Sequence, residues 1–258
     1  MTDRKTIITR ADDCASSRSA NTAILKSVES GFIKNVSIMG NCRYLEEAAK
    51  LLAHRKDVCF GMHAVLNSEW ERFKWGPVLP IQQVPSLVDQ DGYFYDHPTA
   101  LWENSPDVDE MMKEFGAQLD RITRAGFKVS YVDSHMVPER YNSNMRKRMD
   151  DWIELKGLIN HYHYYRRIPE NDSLSRHAEN FERVLRKLPM GQYFLLFHPS
   201  MMSEESLLMG NKQVSGDQVA YSRNCDMDFC SSKATMESMN KYGFTPIRYD
   251  EAERIEGI

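Results

Sequence analysis

A short apolar run at Thr6–Thr9 opens the pattern of buried and exposed positions and predicts a strand. Ala20, Ala23, Ile24 and Val28 then recur at helical spacing, and Gly31 is a natural helix stop. Ile33–Met39 returns to strand character, Tyr44–His54 is amphipathic, and Val58–Leu66 reads as a third strand. This β-α-β-α-β rhythm calls for parallel strands covered by helices. Further on, Asp107–Ala125 carries an apolar stripe of Met111, Phe115, Leu119 and Ile122, closed by Gly126. The pattern then predicts a strand at Lys128–Val132, a helix at Tyr141–Leu155, a strand at Gly157–Tyr165 and a helix at Ser175–Leu188. Gln192–Phe197 is an apolar strand, Ser200–Met227 a polar loop, Ser231–Tyr242 a helix and Phe244–Tyr249 a last strand.

About seven strands alternating with helices fit an α/β fold, a single TIM-like (β/α) barrel. An open doubly wound sheet would carry a Gly-rich turn after its first strand. Here that position holds Asp12 and Asp13. The 258 residues are long enough for one such domain, expected to span 1–258. The segment 67–106 breaks the rhythm and is rich in Trp, Pro, Gly and Gln. A long irregular insert is either an arm over a site or packing on the barrel rim.

Composition narrows the function. The net charge is −4 with both signs interspersed, so no nucleic acid or anionic membrane is expected as a partner. No apolar run approaches the ~18 residues of a membrane span. The start is polar, without a signal-peptide core, and the five cysteines form no C-x-x-C pair. A reduced, cytoplasmic setting is the expectation.

Candidate chemistry gathers at strand ends. Asp12 and Asp13 close the first strand, His63 lies on the third, Asp133, Ser134 and His135 end the fourth, and His198 ends the Gln192–Phe197 strand. C-terminal strand ends of a parallel barrel meet on one face, where active sites lie. Each residue alone has an ordinary role, as a helix cap, a satisfied histidine or a strand terminator. Four such ends together point to a site. A carboxylate with two imidazoles is a three-ligand metal set that leaves positions open, and a second carboxylate can take a proton from water. Adjacent Asp residues in an extended strand point to opposite sides, so the two are expected to do different work. Asp133 reads as a carboxylate that orients a neighbouring group. His161 and His163, in H-Y-H, would share one face of a strand and form a rival metal site.

These residues fall in motifs that resemble the ChbG/YdjC-like carbohydrate deacetylases. A-D-D-C-A at Ala11–Ala15 is similar to the family's A-D-D-F-G, and G-M-H-A-V-L at Gly61–Leu66 to G-x-H-x-x-L. D-S-H-M-V-P at Asp133–Pro138 is similar to D-S-H-H-H-V-H, and F-H-P-S at Phe197–Ser200 to C-H-P-G. The resemblance implies a TIM-like barrel, a divalent metal and removal of an N-acetyl group from a small amino sugar or oligosaccharide. It implies Asp13, His63 and His135 as metal ligands, Asp12 as general base and His198 as the group that steadies or protonates the departing amine. Family analogy favours Mg2+, whereas two imidazoles favour Zn2+. A small carbohydrate is the implied substrate and a homodimer the implied assembly. The chain departs from the pattern at Cys14 and Ala15, and at Met136, Val137, Pro138 and Glu139, which replace most of a histidine run. Glu139 is an oxygen ligand or substrate contact to examine. Two alternatives remain at this level. One is a sugar-binding barrel with impaired catalysis, suggested by the altered third motif and the aromatics of Trp70–Tyr95. The other is a metal-dependent phosphoesterase, which would need Arg10, Arg140 or Arg223 at the site.

Overall fold

The computed structural model describes residues 4–168 and 178–255. Its centre is a curled parallel sheet. β1 (Lys5–Cys14), β2 (Asn35–Ile38), β3 (Cys59–Ala64), β4 (Val129–Ser134) and β5 (Ile159–Asn160) lie in the order β5-β4-β3-β2-β1. β6 (Arg166–Arg167) and β7 (Gly191–Phe197) extend the sheet beyond β1, in the order β1-β7-β6. Every pairing is parallel, as a β-α rhythm requires. Six of the seven expected strands lie on this path, β6 is a strand the pattern did not predict, and the seventh expected strand is β8 (Thr245–Ile247), which pairs with the start of β1. β2 pairs with the end of β1. Asn35 stitches the join: its Nδ2 donates to Thr9 O and Ile247 O, at 3.0 and 2.9 Å.

Helices cover the outside. They are α1 (Arg18–Glu29), α2 (Leu45–Leu52), α3 (Pro98–Glu103), α4 (Val108–Arg124), α5 (Ser143–Leu155), α6 (Ala178–Lys187), α7 (Gly216–Ser231) and α8 (Lys233–Lys241). Strand alternation divides the core in two. Outward residues such as Ile7, Ala11, Val36, Met62 and Val132 join the large core under the helices. Inward residues Ile8, Cys59, Tyr131, Tyr165, Phe194 and Tyr249 form a smaller cluster inside the curl. The site stands on this inner cluster.

On α4, Met111, Phe115 and Ile122 are buried as the stripe predicts, and so are Glu114 and Gln118. Buried polar groups need partners, and these two have them. Gln118 accepts from Val65 N at 3.0 Å and donates to Val65 O at 2.8 Å. Glu114 accepts from the backbone of Val78 and Leu79. The helix thus clamps the chain just after β3 and secures the insert that follows.

Three expectations need correction. The strand expected at Gly157–Tyr165 is only β5, followed by a 3-10 turn at His161–His163 and then β6. Asn160 causes the break by capping that turn, its side chain accepting from Tyr162 N. The loop expected at Ser200–Met227 contains most of α7. The insert is not wholly irregular, since it holds α3 and two 3-10 turns. Of the helix expected at Ser175–Leu188, residues 175–177 lie outside the described residues.

Candidate metal centre and active site

Along β1 the inward positions climb from Ile8 in the apolar cluster to Arg10 and then Asp12. Simple alternation would send Asp13 outward. Instead its φ is +61°, and the β1–β2 register shifts between Ala11 and Cys14. This left-handed residue at a bulge re-aims its side chain. Both carboxylates therefore reach the same face. On β3 and β4 the inward ladder runs through Gly61 and His63, and through Tyr131 and Asp133. The register places His63 beside Asp133.

Three donor atoms converge. His63 Nε2 lies 3.5 Å from Asp13 Oδ1, His135 Nδ1 lies 3.3 Å from the same oxygen, and the two nitrogens are 3.3 Å apart. Donors about 2.1 Å from a tetrahedral ion would stand about 3.4 Å apart. Asp13 Oδ1 is buried and accepts no hydrogen bond from the described residues, so a cation there would satisfy it.

The far side of each ring is also committed. His63 Nδ1 is 2.9 Å from Asp133 Oδ1, and His135 Nε2 is 2.9 Å from Glu69 Oε2. An ionised carboxylate only accepts, so each far nitrogen carries the proton and each near nitrogen can turn a lone pair on the triangle. Carboxylate–imidazole pairs of this kind orient ligands in metal sites. Glu69, in the insert, is the residue that sequence reasoning missed. Nothing in its local sequence marks it, because its partner is 66 positions away.

Electrostatics follow the same plan. Burial pushes Asp13 up, but Arg223 at 2.8 Å and the two imidazoles hold it well below the usual carboxylate range. Burial depresses His63, yet Asp133 and Asp12 raise it well above the usual imidazole range. Burial also opposes His135, which Glu69 and Asp13 lift to about 9. A cation on the near nitrogens would displace protons from both rings.

Asp12 is held differently. Arg10 Nε and Nη2 donate to its two oxygens, at 2.6 and 2.8 Å. Arg10 Nη1 reaches Asp133 Oδ2 at 2.7 Å. Asp12, His63 and Asp133 also lie close enough to hold an ion, but the guanidinium already sits between the carboxylates. His198 lines the same cavity, and its backbone N–H donates to Asp226 Oδ2 at 3.0 Å. Burial lowers its pKa, with Arg223 adding to that shift.

The cavity measures about 820 Å3. Glu69, Trp70, Lys74 and His97 of the insert stand in its wall, so this segment is part of the site and not only rim packing. Glu139 is not among the donor atoms that converge here. It is 1% exposed and accepts from the Ser134 and Tyr162 hydroxyls, at 2.7 and 2.8 Å. The rival site at His161 and His163 is not formed either, because the turn replaces the expected strand and His161 packs 3.4 Å from the cationic Arg10.

The protein family described as YdjC-like protein matches residues 6–157. The chain belongs to this family. The match takes in Asp12, Asp13, His63, Glu69 and His135, and leaves out His198 and Arg223. This YdjC-like chain is similar to the carbohydrate deacetylase of Thermoanaerobacter pseudethanolicus, with 28% identity over 157 residues, 60% of this chain and 58% of that protein. It is also similar to the carbohydrate deacetylase of Listeria monocytogenes serotype 4a, with 29% identity over 158 residues, 56% of this chain and 61% of that protein. The match spans about three fifths of these relatives' own length. In fold it is similar to an Enterococcus faecalis protein whose crystal structure is named for a suggested role in cellobiose-phosphate cleavage. That likeness has a TM-score of 0.74 at 18% identity and covers 96% of this chain and 99% of the other. A xylanase Xyl-CE4 domain from the hindgut metagenome of Trinervitermes trinervoides gives a TM-score of 0.51 at 10% identity, covering 96% and 89%. At these identities the likeness speaks to the barrel fold alone. Among the described residues no helix is long and apolar enough to cross a membrane.

Proposed function

We propose that this YdjC-like protein is a metal-dependent hydrolase that removes the N-acetyl group of a small amino sugar or oligosaccharide. The observation that carries the reading is the triangle of Asp13 Oδ1, His63 Nε2 and His135 Nδ1, with each far ring nitrogen taken by a carboxylate. Asp13, His63 and His135 are the proposed ligands. A divalent ion held there would polarise the acetamide carbonyl and lower the pKa of attacking water. Two nitrogens and one oxygen favour Zn2+ over the Mg2+ that family analogy suggests.

The chain's own groups supply the rest. Arg10 fixes Asp12 through both oxygens, yet each oxygen keeps a lone pair with which to accept the proton of water. Arg223 occupies Asp13 Oδ2 and leaves Oδ1 to face the imidazoles. His198, whose pKa burial lowers, would steady the departing nitrogen by a hydrogen bond, and the proton that Asp12 takes from water would pass to that nitrogen as the C–N bond breaks. The named deacetylases among the relatives support the substrate class.

The two alternatives fare worse. A phosphoesterase would want free guanidinium groups beside the triangle; Arg10 and Arg223 are engaged by carboxylates there, which leaves Arg140 in the cavity wall as the remaining candidate. Against an impaired barrel, the convergence of Asp13, His63 and His135 supports an intact ligand set. Acetate release from N-acetylglucosamine oligomers by metal-loaded protein tests the proposal. No release across a broad N-acetyl panel, with metal binding intact, overturns the substrate assignment.

A further inference from the structure

The H-Y-H turn between β5 and β6 is not used by the proposed metal centre, yet His161 lines the same cavity. The residue is 6% exposed. Its Nδ1 lies 3.4 Å from Arg10 Nη1 and 3.3 Å from the Tyr165 hydroxyl. A guanidinium can only donate, so Nδ1 is the acceptor and a neutral ring carries its proton on Nε2. Burial and the neighbouring Arg10 both depress the pKa, which keeps the ring neutral. Nε2 is buried and has no hydrogen-bond partner among the described residues. A buried N–H left unmatched in a native structure calls for a missing acceptor.

The surroundings indicate the kind of acceptor. The Tyr162 ring lies 3.9 Å from the imidazole, and Tyr165 stacks on Phe194 at 4.3 Å. All four residues line the cavity. Arg146 packs over the Tyr162 ring and Arg10 over the Phe194 ring, so the wall offers aromatic edges beside one fixed polar donor, a lining that suits the C–H groups and edge oxygens of a sugar. The position is also linked to the reaction centre, because Asp133 touches His63 with one oxygen and Arg10 with the other.

We propose that His161 is a substrate-binding residue whose neutral Nε2–H donates to an oxygen of the N-acetylated sugar, on the β5–β6 side of the cavity. This rests on the deacetylase reading above. Two variants separate the donor from the acceptor. His161→Asn keeps an oxygen near the Nδ1 position for Arg10 and has no group at Nε2. His161→Gln places an amide N–H near the Nε2 position.

Steady-state kinetics on N-acetylglucosamine oligomers are expected to show KM raised about tenfold in His161→Asn with kcat little changed. His161→Gln should recover part of that loss, and bound metal should match wild type in both. In parallel, 15N NMR of histidine-labelled wild type should show the neutral Nε2–H tautomer near neutral pH, and its signal should move when sugar is added. Wild-type turnover with unaltered KM in His161→Asn overturns the inference and leaves the deacetylase reading standing. A Nδ1–H tautomer, or no response of the signal to a sugar that is turned over, also overturns it. If wild type neither binds nor hydrolyses any N-acetyl sugar, both readings fall.

Discussion

Replacing Glu69 by Gln tests whether the two-carboxylate arrangement tunes a metal site. Glu69 Oε2 sits 2.9 Å from His135 Nε2, and both side chains are largely withdrawn from water. The amide oxygen of Gln can still accept that proton, so the ring keeps its orientation while the negative charge disappears. Loss of such a partner typically weakens metal affinity by about 10- to 100-fold, and an isosteric change should fall at the lower end. The same substitution has a second signature in protein stripped with a chelator. Glu69 and Asp13 lift His135 from 6.5 to about 9 against the pull of burial. The folded state then binds the extra proton between these two values. This stability is fully present below pH 6.5 and is lost as pH rises through about 9. At 1.36 kcal/mol per pKa unit, the shared contribution is on the order of 3 kcal/mol, and Glu69's part is less. Chelator competition and thermal melts of stripped protein between pH 6 and 9.5 measure both effects. Glu69→Gln should bind metal more weakly and should flatten this fall in stability. Unchanged affinity together with an unchanged pH slope refutes the role of Glu69.

The remaining predictions concern the carboxylate pair and the packing below it. Asp13→Ala should abolish stoichiometric metal binding, measured by elemental analysis, whereas Asp12→Asn should retain the metal and lose turnover by about 100-fold or more. If both lose metal equally, the two residues do not divide the work as proposed. Gly61→Ala should destabilise the fold by about 1–3 kcal/mol in denaturant titration, because a Cβ there would collide with the Tyr131 ring. Wild-type stability in that variant would show that β3 and β4 can part without strain. Exhaustive chelation should remove any acetate release, and Zn2+ should restore more of it than Mg2+ does.

How much of this was legible in the sequence depends on the range of the forces involved. The β-α rhythm is local, and it located the long strands and α4 because each buries a face set by its own periodicity. α7 escaped because its buried residues, among them Val219, Asp226 and Phe229, do not form a clean apolar stripe. Its one readable signal is the capping box of Ser215 and Gln218. Asn160 looked like any strand residue until its side chain was seen to cap the following turn.

The site divides in the same way. Asp12, Asp13, His63, His135 and His198 could be named because topology carries strand ends to one face. What sequence could not supply was the second layer that decides what each residue can do. The relation between Asp12 and Asp13 shows why. Adjacent carboxylates on a regular strand would face opposite sides, and one of them would miss the site. The bulge and the left-handed backbone at Asp13 bring both in, but not into equivalent surroundings. Asp12 meets a guanidinium two residues back in its own strand, with both oxygens engaged. Asp13 meets Arg223 from α7 with one oxygen and leaves the other bare between two imidazoles. A bidentate arginine pair leaves Asp12 poorly placed as a metal ligand and well placed as a fixed acceptor for a proton. One bare, buried oxygen is the condition a cation would satisfy. The unequal roles thus follow from which cation each carboxylate already holds: a change at Arg223 should disturb Asp13, whereas a change at Arg10 should disturb Asp12 together with the Asp133–His63 pair that Arg10 also holds.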